Sequence, residues 1–237
     1  MEIKTIGLIG GMSWPSTIEY YRIINEEIQT KLGKPSSAKI IIYSVNLKEI
    51  EQLSHSGDWD GLARKLIGIA QDLEKVGAKC LLISANTIHK VADKIQEAIN
   101  IPLIHIADVT GEKIKENKIT KVCLLGTKIV MEDSFYKDRI ESKFGNIITV
   151  ITPNEKEKET INNIIHQELN FNIINSESKK MLVNIIKNII KREQIQGVII
   201  GCTALPNLIN QTDLPCLTFD TRRIHANAAV KFSLYRK

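Results

Sequence analysis

Ile6–Gly11 reads IGLIGG, and Val122–Thr127 reads VCLLGT. Each is a short apolar run closed by small residues, the pattern of a fully buried parallel strand that turns sharply into the next element. Two further pairs repeat in the same order. CLLISANT at Cys80–Thr87 resembles GVIIGCT at Gly197–Thr203, and IPLIHIAD from Ile101 resembles LPCLTFD from Leu214. The offset is nearly constant from the pair Gly10 and Gly126, through Ala85 and Cys202, to Pro102 and Pro215. A single match between apolar strands is common, but three in order at one offset mark an internal duplication.

Working outward, apolar runs of strand length fall at Thr5–Ile9, Lys39–Val45, Cys80–Ser84, Leu103–Ile106, Lys121–Leu125, Ile147–Ile151, Gly197–Ile200 and Cys216–Phe219, with amphipathic helical segments between them. That alternation predicts an α/β fold of parallel sheets with crossover helices. The duplication makes it two pseudo-symmetric, doubly wound lobes, each with a roughly four-stranded sheet, facing one cleft. The expected division is residues 1–108 plus 220–237 for the first lobe and 109–219 for the second. RRIHANAAVKF, near the C-terminus, has helical spacing and is expected to return to the first lobe. Ligands of open α/β sheets bind beyond the carboxyl ends of the strands. The cleft is therefore expected to gather Gly10–Gly11, Ala85–Thr87, Gly126–Thr127 and Cys202–Thr203.

The formal charge is +5, with Lys and Arg spread along helical stretches rather than gathered into a basic block, so a nucleic-acid partner is not expected. Nor is a membrane, since no apolar run reaches the ~18 residues of a spanning helix. The chain runs directly from its first residues into a strand with no leader pattern, and cytoplasmic residence is expected. Four cysteines lack metal-type spacing, so no metal is expected, and Cys80, Cys123 and Cys216 are read as core residues. Gly7, Gly10 and Gly11 form G-x-x-G-G rather than the dinucleotide fingerprint, and no lysine lies in a recognisable pyridoxal context. No cofactor is expected.

Cys202 stands where a strand gives way to a loop or helix start, and backbone N–H groups and a helix dipole there are expected to lower its thiol pKa. Its partner in the duplication is Ala85. Stereoinversion at an acidic carbon uses one group to remove a proton and another to return one to the opposite face, and Ala85 carries no such group. Ser84 and Thr87 flank it. Of the five histidines, His89 and His105 are read as capping or core residues, His55 and His166 as surface, and His225 as the one placed to meet substrate. Trp14 and Trp59 are read as packing residues.

The segments IGLIGGMSWPSTIEYYRIIN, ISANTIHKVAD, IPLIHIADVTG, LLGTKIVMEDSFYKDR, IIGCT and FDTRRIHANAAV together resemble the aspartate/glutamate racemase family, nearest to its broad-specificity amino-acid racemases. The resemblance implies a pyridoxal-independent, commonly homodimeric racemase with cysteine or threonine as paired acid/base groups and a small amino acid, aspartate, glutamate or similar, as substrate. Cys202 matches the second of the pair and Ala85 the first. Asn86, Thr87, Thr127 and Thr203 match positions that hold the substrate's α-carboxylate and amino group, Ser84 lies beside them, and Met12 and Ser13 belong to a loop whose amides approach an anion. Ser54 falls where relatives carry a longer polar residue. Ala204 replaces a glutamate. Relatives also place a lysine that meets a distal carboxylate within Asn154–Thr160, so Lys156, Lys158 or Thr160 occupies that place. Three chemistries stay open: racemisation through Cys202, a single-thiol reaction like that of the arylmalonate decarboxylase branch, and amino-acid binding without turnover.

Overall fold

The computed structural model describes residues 3–235. The chain divides into two compact units. One runs to His105 and takes up the chain again at His225, and the other is Ile106–Ile224.

In the first unit β1 (Ile6–Gly10) is followed by α1 (Trp14–Leu32), β2 (Ile40–Ser44), α2 (Leu47–His55), α3 (Trp59–Lys75), β3 (Cys80–Ile83) and α4 (Ala92–Glu97). The three strands pair in parallel in the order β2-β1-β3. In the second unit α5 (Ile106–Glu116), β4 (Lys121–Gly126), α6 (Lys128–Glu132), α7 (Ser134–Lys143), β5 (Thr149–Ile151), α8 (Glu155–Gln167), α9 (Ser176–Glu193), β6 (Gly197–Gly201) and β7 (Leu217–Asp220) build a parallel sheet of order β5-β4-β6-β7. The final helix, α10 (Thr221–Leu234), has its first turn in the second unit and the rest in the first.

The strands alternate side chains between two faces, as the period of two requires. In the first unit Ile6, Leu8, Cys80 and Leu82 pack against α1 and α10, while Ile9, Leu81 and Ile83 pack against α3 and α4. In the second, Cys123, Leu125, Val198 and Ile200 meet α8 and α9, and Val122, Leu124, Val150 and Ile199 meet α5 and α7. Helices thus cover both faces of each sheet, which is why the central strands read as continuous apolar runs.

The fourth strand expected at Leu103–Ile106 shrinks to one bridge between Leu81 and Leu103. Pro102 has no N–H to extend a ladder, and only Leu103–His105 separate it from α5. The repeated segment has more room, since Cys216–Asp220 separate Pro215 from α10, and there β7 forms. Trp14, read as a packing residue, is instead 68% exposed and lines one side of α1 with exposed Ile18 and Tyr21. Trp59 does pack against the core, with the Lys90 ammonium 4.3 Å from its ring centre.

Candidate active site

Two strand ends share one pattern. Past β3, Ala85 is half-buried between buried Ser84 and Asn86. Past β6, Cys202 is half-buried between buried Gly201 and Thr203. Each opening is followed by a short 3-10 turn, Thr87–Val91 in the first unit and Leu205–Asn207 in the second.

Packing fixes the first unit's strand-end loop. Gly11 has φ of 89°, and a side chain there would meet the Val45 backbone oxygen at 2.2 Å, so only glycine lets the two backbones approach. Val45 N–H in turn donates to the Gly10 carbonyl at 2.9 Å. The Gly11 N–H donates to Thr17 Oγ1 at 2.9 Å, and Thr17 Oγ1 donates to the Ser13 carbonyl at 3.3 Å. Ser13 holds φ of 116°, a conformation that costs a non-glycine residue roughly 1–3 kcal/mol and is tolerated where surrounding contacts enforce it. Met12 is buried beside it.

Two residues expected at the substrate are built into the framework instead. Ser84 is fully buried and donates to the Ile9 carbonyl at 3.2 Å, with Thr17 Oγ1 at 3.4 Å, because a hydroxyl buried just past the end of a strand needs a partner once water is excluded. His225 is also fully buried, with Nδ1 at the Tyr20 hydroxyl and Nε2 at the Ile104 carbonyl. His89 and His105 are buried as expected, their ring centres 4.7 Å apart. His89 Nδ1–H donates to the Ala85 carbonyl at 2.8 Å and pins the backbone at that opening. Asn86 is buried, Thr87 is half-buried, and Ser54 lies on α2 with its hydroxyl donating to the Glu51 carbonyl.

In the second unit the thiol has a different character from the one expected. Burial pushes the Cys202 thiol up, and the opposing effects of the Ala204 and Leu205 backbone N–H groups and the Arg222 charge are smaller. The element that follows is a single 3-10 turn, not an α-helix, so the dipole that was to favour the thiolate is small. The other thiols fare no better: burial pushes Cys80 up to about 12 and raises Cys123 and Cys216 as well. Cys216, read as core, is only partly buried. Ala204 belongs to the apolar cluster with Leu205 and Leu208, where a carboxylate would have no water.

Thr127 is half-buried at the N-cap of α6, and the N–H of Lys128 next to it donates to Asn162 Oδ1 at 2.8 Å, tying α8 to the end of β4. Lys158 lies one turn before Asn162 on the same side of α8. Its side chain is only 12% exposed, and its Nζ is 2.8 Å from Glu155. Lys156 is exposed, and Thr160 turns its hydroxyl back onto the Lys156 carbonyl. Of the three candidates for a distal-carboxylate partner, Lys158 alone combines a largely buried stem with the side of α8 that meets the end of β4.

Sequence reasoning missed Thr17, Tyr20 and Arg222. Nothing in TIEYY or DTRR distinguishes a buried hydroxyl or guanidinium from a surface one. The helical period of α1 does put Thr17 and Tyr20 on the side of buried Ile24 and Ile28.

Residues 9–229 match the model of the Asp/Glu/Hydantoin racemase family. The chain belongs to the Asp/Glu/hydantoin racemase family. A candidate Asp/Glu racemase from Yersinia pestis, solved by crystallography, is 45% identical with a TM-score of 0.91, covering 98% of this chain and 100% of that one. An aspartate racemase homologue from Pyrococcus horikoshii OT3 is 37% identical with a TM-score of 0.87, over 98% and 100% of the two chains. A broad-specificity amino-acid racemase from Bacillus subtilis (strain 168) is 25% identical over 146 residues, which span 60% of this chain and 63% of that racemase. Among the described residues, no helix of this family member is long and apolar enough to cross a membrane.

Proposed function

We propose that this member of the racemase family is a pyridoxal-independent amino-acid racemase in which Cys202 moves the α-proton of aspartate, glutamate or a similar amino acid. The observation that carries the proposal is the half-buried thiol just past the end of β6, in a chain matched along nearly its whole length by a racemase family. The Cys202 thiolate accepts the α-proton and leaves a carbanion delocalised into the carboxylate. Polar groups of Asn86, Thr87, Thr127 and Thr203, with the loop amides at Met12 and Ser13, hold the amino acid's head. Lys158 meets an acidic side chain. The position matching Cys202 in the duplication is Ala85, so water delivers the proton to the other face, and the thiol proton neutralises the hydroxide left behind. The same proposal takes the protein as a homodimer in a reducing, cytoplasmic compartment where the thiol stays free.

The test is incubation of the purified protein with separate L- and D-amino acids, followed by chiral chromatography. Acidic amino acids are expected to invert and Cys202→Ala to abolish inversion. No inversion across a broad panel overturns the proposal.

Ala85 favours a second reading, in which the thiol protonates and deprotonates one face only. In heavy water that enzyme exchanges the α-proton with retention of configuration, whereas exchange accompanied by equal inversion excludes it.

A further inference from the structure

Arg222 lies in the first turn of α10 and is 6% exposed. Burial and the positive end of a helix dipole both oppose a cation in such a place. Neighbouring groups offset that cost only in part. Nη1 donates to the Thr203 carbonyl at 3.0 Å and reaches Asn207 Oδ1 at 3.4 Å. The Asp220 carboxylate is 3.9 Å from Nη2 and also accepts from the Arg223 N–H. The buried Nε has no hydrogen-bond partner among the described residues.

The carbonyl that Arg222 holds belongs to the residue directly after Cys202. We propose that Arg222 is the positioning residue for this thiol: its clamp on Thr203 fixes the turn from Cys202 to Leu205, and its under-compensated charge supports the thiolate. The Arg222 charge opposes the burial of the Cys202 thiol, after the larger effects of the Ala204 and Leu205 backbone N–H groups, and the Asp220 carboxylate lies 3.9 Å from Nη2 of Arg222, where it draws on the same charge. A cationic neighbour is one of the recognised ways of making a cysteine reactive. This inference rests on Cys202 as the working thiol of the proposed racemase, but its test reads the thiol itself.

The experiment is alkylation of Cys202 by iodoacetamide as a function of pH, with each cysteine resolved by peptide mass spectrometry, in the wild type and in Arg222→Gln, Arg222→Lys and Asp220→Asn. The midpoint is expected to rise by about one pH unit in Arg222→Gln, a roughly tenfold loss of thiolate below the midpoint, and to return most of the way in Arg222→Lys. The acidic limb of kcat/KM for any measured racemisation is expected to move with it, which a purely structural effect on folding would not produce. An Arg222→Gln protein with native circular dichroism and an unchanged midpoint overturns the proposal. Should that variant fail to fold, Asp220→Asn decides: removal of the acid is expected to lower the midpoint, and an unchanged or higher value overturns the proposal. Failure of the racemase assay alone leaves the alkylation profile intact, so the two ideas fail separately.

Discussion

The Tyr20 hydroxyl lies 2.9 Å from Nδ1 of His225, and the other ring nitrogen of that histidine lies 2.6 Å from the Ile104 carbonyl. A carbonyl can only accept, so Nε2 carries the hydrogen, and Nδ1 accepts from Tyr20 while the ring is neutral. Burial pushes the His225 pKa down to about 4, against the opposing effect of the Ile104 bond.

Stability should therefore fall on acidification before the carboxylates titrate. The unfolded chain takes up a proton at this histidine near pH 6.5, while the folded one holds out to about pH 4. The contribution is fully present above pH 6.5 and is lost as pH falls through the folded value, amounting to about 3 kcal/mol. Urea titrations between pH 7 and 4 should show this decline, and His225→Gln should flatten it. An equally steep decline in that variant would assign the effect to other groups.

Thr17 has a structural role of comparable weight. Its hydroxyl satisfies the buried Gly11 N–H and closes the strained turn at Ser13. Thr17→Val keeps the shape and leaves that N–H unpaired, so a loss of about 1–3 kcal/mol is expected by denaturant unfolding. If Met12 and Ser13 present amides to substrate, KM should rise in the same variant. Unaltered stability would show that the loop finds another acceptor.

The duplication was legible because strand interiors buried on both faces leave little choice beyond Val, Ile, Leu and small residues, as in IGLIGG and VCLLGT. The two strand-end openings followed from the same alignment, and Ala85 and Cys202 do share a half-buried setting. What could not be read were properties that depend on which atoms surround a group. Ser84 and His225 are ordinary polar residues in sequence, and only tertiary packing turns them inward. The thiol's acidity depends on a balance between burial, the Ala204 and Leu205 backbone N–H groups and, after them, a guanidinium from α10, twenty positions downstream, which no local pattern records. The missing fourth strand was readable in hindsight, from the short distance between Pro102 and α5.

Lys158 provides a test of substrate class. Its stem is largely buried while its ammonium is held, among the described residues, by a Glu155 that is 80% exposed, so an acidic substrate side chain can compete for it. Lys158→Met should raise KM for aspartate and glutamate about tenfold, the effect of ~1.4 kcal/mol of binding. Neutral amino acids should change little. A uniform effect on both classes would show that Lys158 supports folding or the α-carboxylate rather than the distal group.

The last prediction concerns the alanine opposite Cys202 in the duplication. Ala85 is half-buried, its carbonyl is fixed by His89, and its neighbours Ser84 and Asn86 are buried, so a sulfur added to its Cβ is carried on a backbone that is already held. If water alone returns the proton on that face, the step lacks a positioned acid, and such a group is commonly worth about 100-fold or more in rate. Ala85→Cys should therefore raise kcat for inversion by roughly that factor with little change in KM. Ala85→Ser, similar in size but a poor acid at neutral pH, should gain far less. Equal rates in all three proteins would mean that the proton on that face already comes from a group in place, and the search would move to Thr87.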